Sequence, residues 1–108
     1  MDSKPLEPLS VKDYLEGEKD SPVKHEYVYG EVFSMAGTSD VHNTIALNLA
    51  AAMTPAARSK NCRVYLSDMK FRSSENSFYY PDVMFICKDS EDAYYKEHPC
   101  VVVEVLSR

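Results

Sequence analysis

Two carboxylates stand out because each sits inside an otherwise apolar run. Glu104 lies in Cys100-Val101-Val102-Val103-Glu104-Val105-Leu106, where six of the seven residues are apolar. A continuous apolar run of that length predicts a strand buried on both faces of a sheet. An ionised glutamate in such a strand is costly unless something pairs with it or coordinates it. Asp82 stands near the start of a second apolar strand, Tyr79-Tyr80-Pro81-Asp82-Val83-Met84-Phe85-Ile86. Alternation puts Asp82 on one face with Met84 and Ile86, and Glu104 on one face with Val102 and Leu106. If the strands are neighbours, facing residues lie about 5 Å apart. Two carboxylates at that distance repel unless a cation sits between them, and hard oxygen donors suit Mg²⁺ or Mn²⁺. The chemistry such a pair offers is hydrolysis by metal-activated water, with Asp82 and Glu104 as the metal ligands. Spacing alone leaves another reading open, in which the two acids reach solvent or bond to lysine and arginine.

The elements that must position these acids can be read in order. Residues 1–9 carry two prolines and no periodicity, which predicts a loose arm ahead of a single domain spanning 10–108. Ser10 and Asp13 make a near capping box for a short helix ending near Gly17. Alternating apolar residues either side of Tyr29-Gly30 predict two antiparallel strands joined by a tight turn. Ser39 or Asp40 then caps the main helix, in which Val41, Ile45, Leu49 and Met53 recur every fourth residue. Pro55 marks a stop, a kink or a restart of that helix. Residues 62–66 form a strand, and 67–72 continue as a half-solvated strand with Asp68, Lys70 and Arg72 on one face. A polar turn at 73–77 leads into strand 78–87, an acidic loop over 88–99, and the closing strand. The expected class is α+β, with a mixed, mostly antiparallel sheet and a helix packed on one face.

Composition sets outer bounds. A 108-residue chain is one domain at most, burying about two-thirds of its unfolded surface. Apolar content of 44% and charged content of 27% are ordinary for a globular protein. No apolar run approaches the roughly 20 residues of a membrane helix. The three cysteines, Cys62, Cys87 and Cys100, include no CxxC pair, and reduced core thiols in a cytoplasmic protein are expected. The net charge of −5 argues against a broad basic nucleic-acid footprint.

A Pro-Asp opening one strand, followed some twenty residues later by an apolar strand bearing Glu, resembles the PD-(D/E)xK nuclease superfamily. Six ordered stretches narrow the likeness to its Uma-two family of endonucleases. They are His25-Glu26-Tyr27-Val28 with Gly30-Glu31, Ser34-Met35-Ala36-Gly37, His42-Asn43, Ser67-Asp68-Met69-Lys70, Tyr80-Pro81-Asp82-Val83 and Val103-Glu104-Val105-Leu106-Ser107. The resemblance implies a restriction-endonuclease-like core, a metal-dependent nuclease acting on DNA, and Asp82 and Glu104 as its metal ligands. It also implies an auxiliary acid at Glu31, whose other reading is a solvated turn carboxylate. Leu106 stands where the superfamily has its lysine, so the resemblance implies a truncated chain lacking a C-terminal helix and strand.

Two further residues are candidates for holding substrate. Lys70 approaches the site if strands 67–72 and 78–87 pair as a hairpin; otherwise it is a surface partner of Asp68. His42, in the first turn of the main helix, suits donation to a phosphate oxygen, or else is an exposed helix-end histidine. The competing functional class is a non-catalytic module binding nucleic acid or protein, which the negative charge and absent lysine favour. An uncovered closing strand would pair with another chain, so a homo-oligomer is expected.

Overall fold

The structure is a computed structural model describing residues 8–88 and 92–106. Helix α1 spans Val11–Asp20, and the Ser10 hydroxyl accepts the Asp13 N–H at 3.0 Å, as the capping pattern predicts. The helix does not stop at Gly17. Glu18 is drawn inward, where it accepts from the His25 N–H at 2.7 Å and the Tyr80 hydroxyl at 2.8 Å. Those tertiary bonds outweigh the weak helix-breaking tendency of one glycine. Of the expected arm, Pro8 and Leu9 are described and both are docked; residues 1–7 lie outside the described residues. The Leu9 N–H donates to Gly30 O at 3.0 Å and its carbonyl accepts from the Tyr27 hydroxyl at 2.7 Å.

Strands β1 (His25–Val28) and β2 (Glu31–Ser34) form the expected hairpin. Its two-residue turn has positive φ at both positions, 45° at Tyr29 and 92° at Gly30. That twist matches the strands it joins, and Gly30 is needed twice over. A Cβ there would lie 2.3 Å from Pro8 Cβ.

The sheet is not single. Strands β4 (Lys70–Ser74), β5 (Ser77–Tyr79) and β7 (Tyr95–Lys96) join the hairpin in the order β2-β1-β5-β4-β7. All neighbours in it are antiparallel except β4 and β7. Strands β3 (Arg63–Leu66), β6 (Val83–Ile86) and β8 (Val101–Val103) form a second, antiparallel sheet in the order β3-β6-β8. The stretch 78–87, expected as one strand, is therefore two strands in two sheets. Pro81 explains the break, because it has no N–H to donate to a ladder. The expected strand over 67–69 is a turn, with the Met69 N–H donating to Leu66 O at 3.1 Å.

Each sheet packs on its own helix. Tyr14 of α1 stacks on Tyr27 at 4.9 Å between ring centroids, with Phe78 fully buried beneath. Helix α2 (Asp40–Ser59) runs unbroken through Pro55 and lies on β3 and β6. Its buried stripe is His42, Ala46, Ala50 and Ala57, whereas Val41, Ile45 and Leu49 are 64%, 44% and 38% exposed. The every-fourth-residue pattern was thus displaced by one position. Small alanines let the helix backbone approach Val83 closely, an option the bulkier stripe does not offer.

The closing strand also departs from expectation. Strand β8 is an edge, and Val101 and Val102 are 45% and 41% exposed, so it is not buried on both faces. Two cysteines expected as thiols are joined as a Cys62–Cys87 disulfide, while Cys100 is free and exposed. The β3–β6 register pairs Arg63 with Ile86, so the next pair outward is Cys62 and Cys87, which brings their sulfurs together.

Candidate active site

The break at Tyr80-Pro81 sets Asp82 at the junction between the two sheets. Because Val83 pairs with Val103, one further step along the antiparallel register sets Asp82 against Glu104. The acids expected to face one another do so. Asp82 is held from two sides. The Val105 N–H donates to its Oδ2 at 2.7 Å, and His42 Nε2 lies 3.3 Å from the same oxygen. His42 Nε2 also lies 2.9 Å from the Val105 carbonyl oxygen. A nitrogen facing two acceptors must carry a proton, so His42 donates from Nε2.

The carboxyl of Glu104 is held above its ordinary value of 4.5. Glu104 is exposed as a residue, against the buried position expected, yet partial desolvation is the chief cause, followed by the charges of Asp82 and Glu26 and a hydrogen bond with Asp82; His42 opposes them. A carboxyl whose folded pKa exceeds its unfolded one favours the protonated folded protein. The resulting cost is absent below the unfolded pKa and fully present above the folded one. Measured in chelator, stability should therefore decline as pH rises through a window opening near 4.5. Glu104→Gln should flatten that decline; urea midpoints against pH that are superimposable for the two proteins would refute this.

The other candidates are dispersed. Glu31 pairs with Val28 beside the hairpin turn, at the end of β1 remote from Tyr80. Its near counterpart is Glu26, which the sequence did not single out and which accepts the Tyr80 N–H at 3.2 Å. The available signal was alternation, since Glu26 must face away from the Tyr27 core. Lys70 is only 6% exposed, with its ammonium 5.5 Å from the Tyr80 ring centroid, and burial lowers its pKa. The expected hairpin forms between β4 and β5, which carries Lys70 as far as Tyr80, but Asp82 lies beyond the break into the second sheet. A cavity of about 510 Å³ opens against Asp82 and His42, walled by Lys24, Thr38, Asn43 and Asp68 among others.

Among the described residues, no three or more His, Cys, Asp or Glu side chains gather closely enough to hold a metal ion. The hard-oxygen donor set is thus the Asp82–Glu104 pair. That number suits Mg²⁺, which keeps several waters and takes one or two protein carboxylates. The Asp82 charge that helps raise the Glu104 pKa is what a divalent cation would offset.

A nuclease-like α+β domain is the class that this fold defines. A solved structure titled as a putative nuclease belonging to DUF820, from Anabaena variabilis, superposes with a TM-score of 0.74 at 16% identity. The match covers 93% of this chain and 59% of that one. The family model for Uma2, described as "Putative restriction endonuclease", matches residues 11–108, and the chain belongs to that family, Uma-two. Two proteins of Synechocystis sp., both described as uncharacterized, are 33% and 30% identical to it. Those matches cover 97% and 92% of this chain, which spans only 57% and 59% of the two relatives.

Proposed function

We propose that the protein is a Mg²⁺- or Mn²⁺-dependent nuclease that hydrolyses DNA phosphodiesters. The observation that carries this reading is the register-opposed Asp82–Glu104 pair, two carboxylates set against one another at the junction of the sheets. Asp82 and Glu104 would hold the cation, which supplies positive charge to the phosphate and acidifies water. The chain's own contributions are positional. His42 and the Val105 N–H fix the Asp82 carboxylate, Glu26 fixes the Tyr80 backbone leading into it, and the adjoining cavity admits substrate. The test is plasmid nicking by the full-length protein with Mg²⁺ or Mn²⁺. Nicking that EDTA abolishes is expected; no nicking with either ion would overturn the reading.

A binding module without catalysis is the second reading, favoured by the net charge of −5. Tight DNA binding by metal-loaded protein without cleavage would decide for it. We also propose self-association through β8, an open edge with exposed Val101 and Val102. Sedimentation should show dimers, and a monomer at high concentration would count against them. No described helix is long and apolar enough to cross a membrane. A cytoplasmic location belongs to the same proposal, and in that reducing compartment Cys62 and Cys87 would be thiols.

A further inference from the structure

A cavity that receives a phosphodiester beside two carboxylates needs a positive group on its wall. Among the described residues lining it, Lys24 is the sole lysine or arginine. Lys24 immediately precedes β1, and its Nζ donates to Ser67 O at 3.0 Å. The same Nζ lies 3.2 Å from Asp68 Oδ1 and 5.4 Å from the Tyr80 ring centroid. Tyr80 is two residues before Asp82, so the ammonium is fixed relative to the acid by the turn at 67–69 and by one aromatic ring.

The pairing with Asp68 is replaceable. The two side chains are 37% and 94% exposed, and an ion pair that open to water is weak. An ammonium has three donors, and Ser67 O and Asp68 account for two. A phosphate oxygen can therefore take the third, or displace Asp68 and gain a stronger charge-assisted bond. Lys70 flanks the same ring but does not line the cavity, so Lys24 cannot be replaced by it.

We propose that Lys24 is the phosphate anchor of the Asp82 cavity, binding the backbone of a nucleic-acid strand. The proposal rests on the nuclease reading and adds to it the residue that meets the substrate's charge. The test is fluorescence anisotropy of labelled DNA oligonucleotides of several sequences with the full-length protein in chelator, across a salt series. Lys24→Met should bind about tenfold more weakly with every sequence, and its log–log salt slope should fall by about one. Lys24→Arg should restore both. Asp68→Asn leaves the ammonium in place and removes its competitor, so it should bind severalfold more tightly; unchanged or weaker binding by it counts against the anchor. If the parent binds DNA and Lys24→Met matches its affinity and slope, the anchor assignment is wrong and the nuclease reading stands. If the parent neither binds DNA nor nicks it, both are overturned.

Discussion

Phe78→Ala should destabilise the protein by about 3–5 kcal/mol, the usual cost of emptying an aromatic site in a closed core. Phe78 is 0% exposed and packs among Tyr14, Tyr27 and Tyr95, at centroid distances of 5.4, 6.1 and 5.4 Å. The guanidinium carbon of Arg72 stands 5.1 Å from the same ring centroid. These neighbours come from α1, β1, β4 and β7, so no single segment can move in to fill the void. The loss rivals the whole stability of many small domains, about 5–15 kcal/mol. Urea unfolding would measure it, and a midpoint within error of the parent's would refute the account of this core.

Asp82→Asn should slow DNA cleavage by at least about 10²-fold while leaving the fold nearly intact. Asparagine keeps an oxygen that can accept from the Val105 N–H and His42 Nε2, so the local hydrogen bonds survive. What it removes is the negative charge. The same loss takes away one cause of the raised Glu104 pKa, so the proton held there should be released at lower pH. Asp82→Ala is the less clean variant, because it strands the Val105 N–H at a further cost of about 1–3 kcal/mol, while His42 Nε2 keeps the Val105 carbonyl. Plasmid nicking by Asp82→Asn at the parental rate would sink the assignment of this acid.

The acid pair was legible because its signals are local: a lone carboxylate in each apolar run, strand alternation, and antiparallel pairing. The hairpin turn at Tyr29-Gly30 was legible for the same reason. What failed depended on which segments become neighbours. Pro81 was visible, yet its role in sending one strand into two sheets emerges only once β5 and β6 have separate partners. The hairpin expected to bring Lys70 close does form, between β4 and β5, but the chain leaves that sheet at Tyr80-Pro81, so Lys70 stops at the Tyr80 ring. Glu26 and Lys24 went unnoticed because they reach the site from the other sheet, through contacts more than forty residues apart in sequence. On α2 the periodicity showed a helix with Ala46 and Ala50 beside the bulkier series, but which of the two faces is buried depends on how closely the helix approaches Val83.

The passage of the chain from one sheet to the other at Tyr80-Pro81 has a mechanical consequence. Lys24 and Glu26 are carried by the Tyr14–Tyr27–Phe78 core, and Asp82 and Glu104 by the Ala46–Ala50–Val83 core. The site is thus shared between two packed cores, and the chain crosses between their sheets at Tyr80-Pro81 and again at the 67–69 turn, among other places. Any rocking of one body on the other alters the span between the cation and the acids without disturbing either interior. Stiffness at the crossings, Tyr80-Pro81 and the 67–69 turn that holds Lys24, then governs how steadily the reacting groups are held.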